Sequence, residues 1–209
     1  MRKHLIFKHT ITLLLMIMFS LALTQMIPGK GITFESYAAS IKKTTKKAKK
    51  AFRRKLDEIS NEGGSTTSYR IVNIVGNNVP ELLVDYSEEG ERHGTFTVYA
   101  YKNGKVKQIL SDSDDNMEVY IYKKTSTLVL YNAYHGYVGY SYYKYSGGKF
   151  RLKAVDCYND AAETPHWYEN ANRDHISKAK FNKITKKLKK GKKKDLDYEH
   201  WGVIYTNDI

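Results

Sequence analysis

Two stretches of this 209-residue chain share a spacing that few folds accommodate: "YKNGKVK" at 101–107 and "YSGGKFR" at 145–151. Each reads Tyr-x-x-Gly-Lys-apolar-basic. Asn103-Gly104 and Gly147-Gly148 supply residues that enter the left-handed backbone region at little cost, which is what a two-residue hairpin turn demands. The flanks alternate apolar and polar, the period of a strand with one buried face. Upstream, "YRIVNIVGNNVPELLVDY" and "MEVYIYKKTSTLVLYNAY" each read as strand, turn, strand. The unit strand-turn-strand, loop, strand-turn-strand therefore occurs twice. That period predicts four-stranded, blade-like repeats. Two blades cannot close a propeller. The expectation is an α+β chain, mainly antiparallel β, with its two repeats forming a bent sheet or open barrel, and with two basic helices covering faces or an edge.

Those helices follow from periodicity. Ile41, Ala48, Phe52, Leu56 and Ile59 recur at spacings of three, four or seven and make one apolar stripe over 41–61. Phe181, Ile184 and Leu188 make a second stripe, and Ser177 is placed to cap its N-terminus. Charge gathers on the same segments. Residues 41–55 hold nine basic residues and 178–194 hold ten, with no acid in either. The whole chain carries +13, so the remainder is net acidic. This is an acidic β-rich body with two cationic helical segments. The organisation expected is a signal peptide over 1–38, a basic amphipathic helix within 39–64, and a β-rich domain over 65–209 that includes helix 177–190 and a last strand in "WGVIY".

The N-terminus supports export. Arg2, Lys3 and Lys8 precede an apolar run from Ile11 to Leu23, the length of a signal-peptide core and short for a membrane span. Ser36-Tyr37-Ala38 offers a small-x-small cleavage pattern; a retained N-terminal anchor is the alternative. Cys157 is the sole cysteine, which excludes an intramolecular disulfide. The localisation expected is secreted, or at the cell surface of a Gram-positive bacterium.

Residues 73–82 read Asn-Ile-Val-Gly-Asn-Asn-Val-Pro-Glu-Leu. The stretch resembles the D-x-D-G-D-G-x-P-E-L element of uncharacterised exported proteins from Gram-positive, clostridia-like bacteria, an element reminiscent of FG-GAP/VCBS-type blades. The resemblance implies calcium binding at Asn73, Asn77 and Glu81 only, because Val75 stands where a carboxylate would sit. Ca²⁺ takes six to eight oxygens, several of them anionic. Two amides and one Glu fall short, so the expectation is a structural turn and no cofactor beyond weak Ca²⁺ binding. Asp112 and Asp114, beside Asp115 and Asn116, form a second weak cation candidate, set against a solvated acidic turn. Glu88, Glu89 and Glu91 read as a solvated loop.

Cys157 with His135 or His166 would be the nucleophile pair of a secreted hydrolase, the enzymatic alternative. No cysteine-hydrolase signature surrounds Cys157, its position reads as strand interior, and a core thiol is the preferred assignment. Tyrosine, at 18 residues, is the compositional oddity. Tyr137, Tyr140, Tyr142, Tyr143 and Tyr145, with Trp167 in the following polar loop 159–176, are the candidate glycan- or protein-binding surface. Lys46, Lys47, Lys50, Arg53, Arg54, Lys186, Lys187 and Lys190 are the candidates for contact with an anionic cell-wall polymer or membrane surface. Nucleic acid is not expected as a partner outside the cytoplasm. The function expected is non-catalytic binding at an anionic cell envelope, with a calcium-stabilised structural repeat as a further alternative.

Overall fold

The computed structural model describes residues 34–61, 65–88, 94–114, 118–134, 136–159, 165–196 and 201–205. The chain divides into two compact units, 1–42 and 43–209. Of the first, the described part is the opening of helix α1 (Phe34–Asn61), which runs without a break across the expected cleavage point after Ala38. The leader before residue 34 lies outside the described residues.

Twelve strands and helix α2 (Lys178–Leu188) follow α1 among the described residues. Strands β1 (Ser65–Val72), β2 (Glu81–Glu88), β3 (Gly94–Lys102) and β4 (Lys105–Asp114) pair in sequence as an antiparallel meander. So do β5 (Glu118–Tyr122), β6 (Thr127–Tyr134), β7 (Tyr137–Ser146) and β8 (Lys149–Asn159). The two repeats are present, each as its own hydrogen-bonded sheet in place of one bent sheet, and neither closes into a barrel. The C-terminal strand β12 (Gly202–Tyr205) returns to pair with β1. On the second sheet, β9 (Trp167–Asn170) and β10 (His175–Ile176) extend the β8 edge, and β11 (Lys194–Asp195) pairs with β5.

Both hairpin turns have the backbone that the sequence asks for: Asn103 and Gly104 have φ of 51° and 81°, and Gly147 and Gly148 have 58° and 88°. The repeat also reaches deeper than the turns. The β3–β4 ladder slips by one residue between Val98 and Tyr99, and the β7–β8 ladder between Tyr142 and Tyr143. These bulges stand apart by the same offset that separates Tyr101 from Tyr145. The facing is conserved as well. Tyr99, Tyr101 and Val106 face α1, while their counterparts Tyr143, Tyr145 and Phe150 face the space between the sheets. The second sheet therefore lies on the first in the same sense, as successive blades stack. Lys102 ties the two hairpins together, its Nζ donating to the Gly148 carbonyl at 2.7 Å and lying 5.1 Å from the centre of the Tyr145 ring.

Four layers result within residues 43–209. Between the sheets, Leu83, Phe96 and Val98 meet Ile121, Leu128 and Leu130, with Trp201 closing against Phe96. Outside the first sheet, Ala48, Phe52, Leu56 and Ile59 of α1 pack on Leu82 and Val84. Outside the second, Phe181 and Leu188 of α2 pack on Tyr120, Val129, Tyr142 and Ala154. The Ser177 hydroxyl accepts from the Lys180 N–H at 3.3 Å, the expected cap. At the other end of α2, the Thr125 hydroxyl donates to the Leu188 carbonyl, meeting one of the acceptors that a helix C-terminus leaves over.

The expected polar loop 159–176 differs from the structure, which folds its second half as the β9–β10 hairpin. Asn170 makes this turn: its Oδ1 accepts from the N–H groups of Asn172 and Asp174, and its own N–H donates to the Asp174 carbonyl. A side chain that closes its own turn leaves no apolar alternation to read.

Candidate functional site

The Asn-rich turn uses its oxygens inward. Asn73 Oδ1 accepts from Gly76 N–H at 2.8 Å and Asn77 Oδ1 from Val79 N–H at 3.0 Å. Asn78 adopts φ 64°, a left-handed conformation that Asn tolerates. Glu81 is 2 % exposed, and its Oε2 accepts from Ile74 N–H at 2.9 Å and Val75 N–H at 3.3 Å. Burial pushes its carboxyl up to about 7, against smaller opposing effects of those hydrogen bonds and of Lys102. All three oxygen donors implied by the resemblance are thus engaged with backbone N–H groups, the geometry of a structural turn. The loop also joins layers, because Thr45 donates to the Asn78 carbonyl and Ser126 to the Val75 carbonyl.

Asp112 lies near the end of β4, so the expected acidic turn is strand up to Asp114. The Asp112 carboxylate accepts from the Tyr143 hydroxyl at the mouth of the space between the sheets. The side chain of Asp114, like Asp115 and Asn116 entirely, lies outside the described residues. Among the described residues no group of three or more His, Cys, Asp or Glu is arranged to hold a metal ion.

The tyrosines divide between both faces of β7, and both faces are covered. Tyr142 is 4 % exposed beneath α2 and Tyr143 is 7 % exposed between the sheets. Tyr140 and Tyr145 are half-buried members of the same two clusters. Tyr142 and Tyr143 are drawn into the packed layers, because each sheet sets one face on its neighbour and the other on a helix, while Tyr140 and Tyr145 stay half-buried. Tyr137 stays exposed, at 56 %. With Trp167, Arg173, Asn132 and Asp112 it rims a cavity of about 190 Å³ that opens between the sheets.

Cys157 lines that cavity as a half-buried free thiol. Burial, then the neighbouring Glu169 and Asp156 carboxylates, push it up to about 11, with Arg173 opposing. His166 is engaged elsewhere. Its Nδ1 lies 2.9 Å from Asp156 Oδ1, and its ring stacks on Tyr158 at 4.5 Å. Asp156 lines a cleft on the outer face of the second sheet, opposite to Cys157. His135 lies outside the described residues.

That outer cleft, of about 270 Å³, was not anticipated as a unit. Tyr120, Tyr122, Tyr140 and Tyr142 line it, and Lys189 and Lys193 from the segment after α2 cross it. Alternation predicts that Tyr120, Tyr122, Tyr140 and Tyr142 share a face. Nothing local predicts that two lysines fold over them.

The cationic rows stand in solvent. Lys46, Lys47, Lys50, Arg53 and Arg54 on α1, with Lys186, Lys187 and Lys190 at the end of α2, are all exposed. None of the eight is in an ion pair with another described residue; the α1 pair is Lys55–Glu58, at 3.3 Å. Both helices pack by their apolar stripes, and among the described residues none of these eight cations pairs with the acidic body. The two rows sit on opposite outer layers of the sandwich. No helix among the described residues is long and apolar enough to cross a membrane. Comparison with protein-family models, with curated proteins and with solved structures gives no match for this chain.

Proposed function

We propose that this chain is a non-catalytic binding protein, exported and held at an anionic cell envelope by its two lysine-rich helices. The observation that carries the reading is the division of labour on α1 and α2. Their apolar residues are buried, while the eight basic residues named above are exposed and unpaired among the described residues. Cations arranged in this way act together on a polyanion, each contributing on the order of 1 kcal/mol near an anionic surface. Their placement favours a flexible wall polymer over a flat bilayer. A plane meets the outward row of only one helix, whereas a polymer chain can follow both. Exposed Tyr137 and half-buried Trp167, at the mouth of the inter-sheet cavity, offer aromatic surface to a glycan or protein ligand. The hydrolase alternative needs a Cys157 thiolate, and burial with two carboxylates opposes one.

Retention of the full chain on purified cell wall, measured against salt, tests the reading. Retention should fall steeply as salt rises. Combined replacement of Lys186, Lys187 and Lys190 by Gln, or of Arg53 and Arg54 by Gln, should flatten that dependence. Retention that is indifferent to salt overturns the proposal.

A further inference from the structure

The cleft on the outer face of the second sheet has the chemistry of an anion site. The Tyr142 ring is buried, but its hydroxyl is not among the buried atoms left without a partner; it opens onto the cleft and makes no hydrogen bond to a described residue. The Tyr122 and Tyr140 hydroxyls are likewise unbonded within the described residues. Tyr120 differs, because its hydroxyl is used on Glu118. Phenol hydroxyls that solvent reaches are matched by water, and they can donate instead to a ligand that displaces that water. Two ammonium groups join the three phenols. Lys189 Nζ lies 4.6 Å from the centre of the Tyr142 ring, and Lys193 Nζ lies 3.5 Å from that of Tyr120. Cation–π attraction holds both over the cleft, and neither is in an ion pair with a described residue. Against these five donor groups stands one lining carboxylate, Asp156, already bonded to His166. Glu118 lies near both Tyr120 and Tyr140, and Asp195 near Tyr120.

Acceptor groups match such a donor set, and the two ammonium charges favour an anionic acceptor, an oxyanion, over a neutral carbonyl or ether. The cavity exceeds the size of an inorganic oxyanion and leaves room for a body that carries one. We infer that this cleft binds a small oxyanion, a phosphate or a carboxylate, borne on a sugar-sized body. Burial and neighbouring carboxylates raise the tyrosines' pKa values, which keeps their hydroxyls as neutral donors. Burial depresses Lys189, and a bound anion would reverse this. The inference deepens the proposed function, and rests on it only in taking the occupant to be a unit of the same polyanion.

The test titrates the full chain with glycerol 3-phosphate, glucuronate and neutral methyl glucoside, read by NMR on the tyrosine rings and the Lys189 ammonium. At least one anion should bind and raise the Lys189 titration, while the neutral glucoside should not. Phosphate against glucuronate decides which oxyanion is preferred. Tyr142→Phe keeps charge and ring and should weaken anion binding about tenfold. The surface variant Lys189→Gln should do the same, and the remote Lys107→Gln should not. Binding of neither anion, equal binding of the glucoside, or equal losses in Lys107→Gln and Lys189→Gln would overturn the inference. Salt-sensitive wall retention without small-anion binding sinks the cleft alone. Small-anion binding without wall retention sinks the envelope proposal and leaves the cleft.

Discussion

Glu81 makes stability depend on pH in a direction opposite to that of most carboxylates. In the unfolded chain it ionises near 4.5, and in the fold near 7, because burial outweighs the two backbone N–H groups that it accepts from. Between those values the folded state holds the extra proton, so stability falls as pH rises. The contribution of this group is full below about pH 4.5, is lost as pH passes through about 7, and is constant above that. The whole shift corresponds to about 3 kcal/mol, of which about 2.5 kcal/mol falls between pH 5 and pH 8. Glu81→Gln keeps an acceptor for Ile74 and Val75 but cannot ionise, and any cost of its new amide donors is independent of pH. Urea unfolding of both proteins at pH 5, 6, 7 and 8 isolates the group, since every other titration cancels in the difference. Wild type should lose about 2.5 kcal/mol relative to Glu81→Gln across that range. A constant difference would show that Glu81 ionises in the fold as it does in water, and the account of the 73–80 loop as a clamp built on a buried carboxyl would fail.

Other consequences concern packing and reactivity. Phe52→Ala removes a fully buried ring between α1 and the first sheet and should cost about 3–5 kcal/mol in denaturant unfolding, without changing the charged face of the helix. Gly202→Ala places a methyl group 2.5 Å from the Tyr69 ring across the β1–β12 pair, so faster hydrogen exchange should appear along β12 and β1 while β5–β8 stay protected. Gly104→Ala meets no neighbour, but φ of 81° penalises it, so a loss of about 1 kcal/mol in thermal or urea melts is expected. Alkylation of Cys157 by iodoacetamide should be slow at pH 8 and accelerate only as pH approaches 11; rapid modification at neutral pH would revive the hydrolase alternative.

The local rules were legible because they are local. Alternation marked β1 to β8, two dipeptides marked the hairpins, a serine marked the start of α2, and the apolar stripes identified the buried sides of both helices. The repeat was visible in "YKNGKVK" and "YSGGKFR" because a turn needs particular residues at particular places. The β9–β10 hairpin and β11 escaped because they are short, polar and closed by side-chain bonds or by pairing with a distant edge, none of which leaves a periodic trace.

The sequence by itself determined that strands would pair in two four-stranded units, that two amphipathic helices would carry the positive charge, and that Asn77-Asn78 would turn the chain. Tertiary structure alone decided which face each helix covers. It thereby buried the tyrosines on both sides of β7, put the two basic rows on opposite layers, and drew Lys189 and Lys193 over unbonded phenols. The reason is that strand periodicity fixes which side chains share a face but carries no information about what is stacked on it. That is set by the fit of whole surfaces, summed over contacts between residues far apart in the chain.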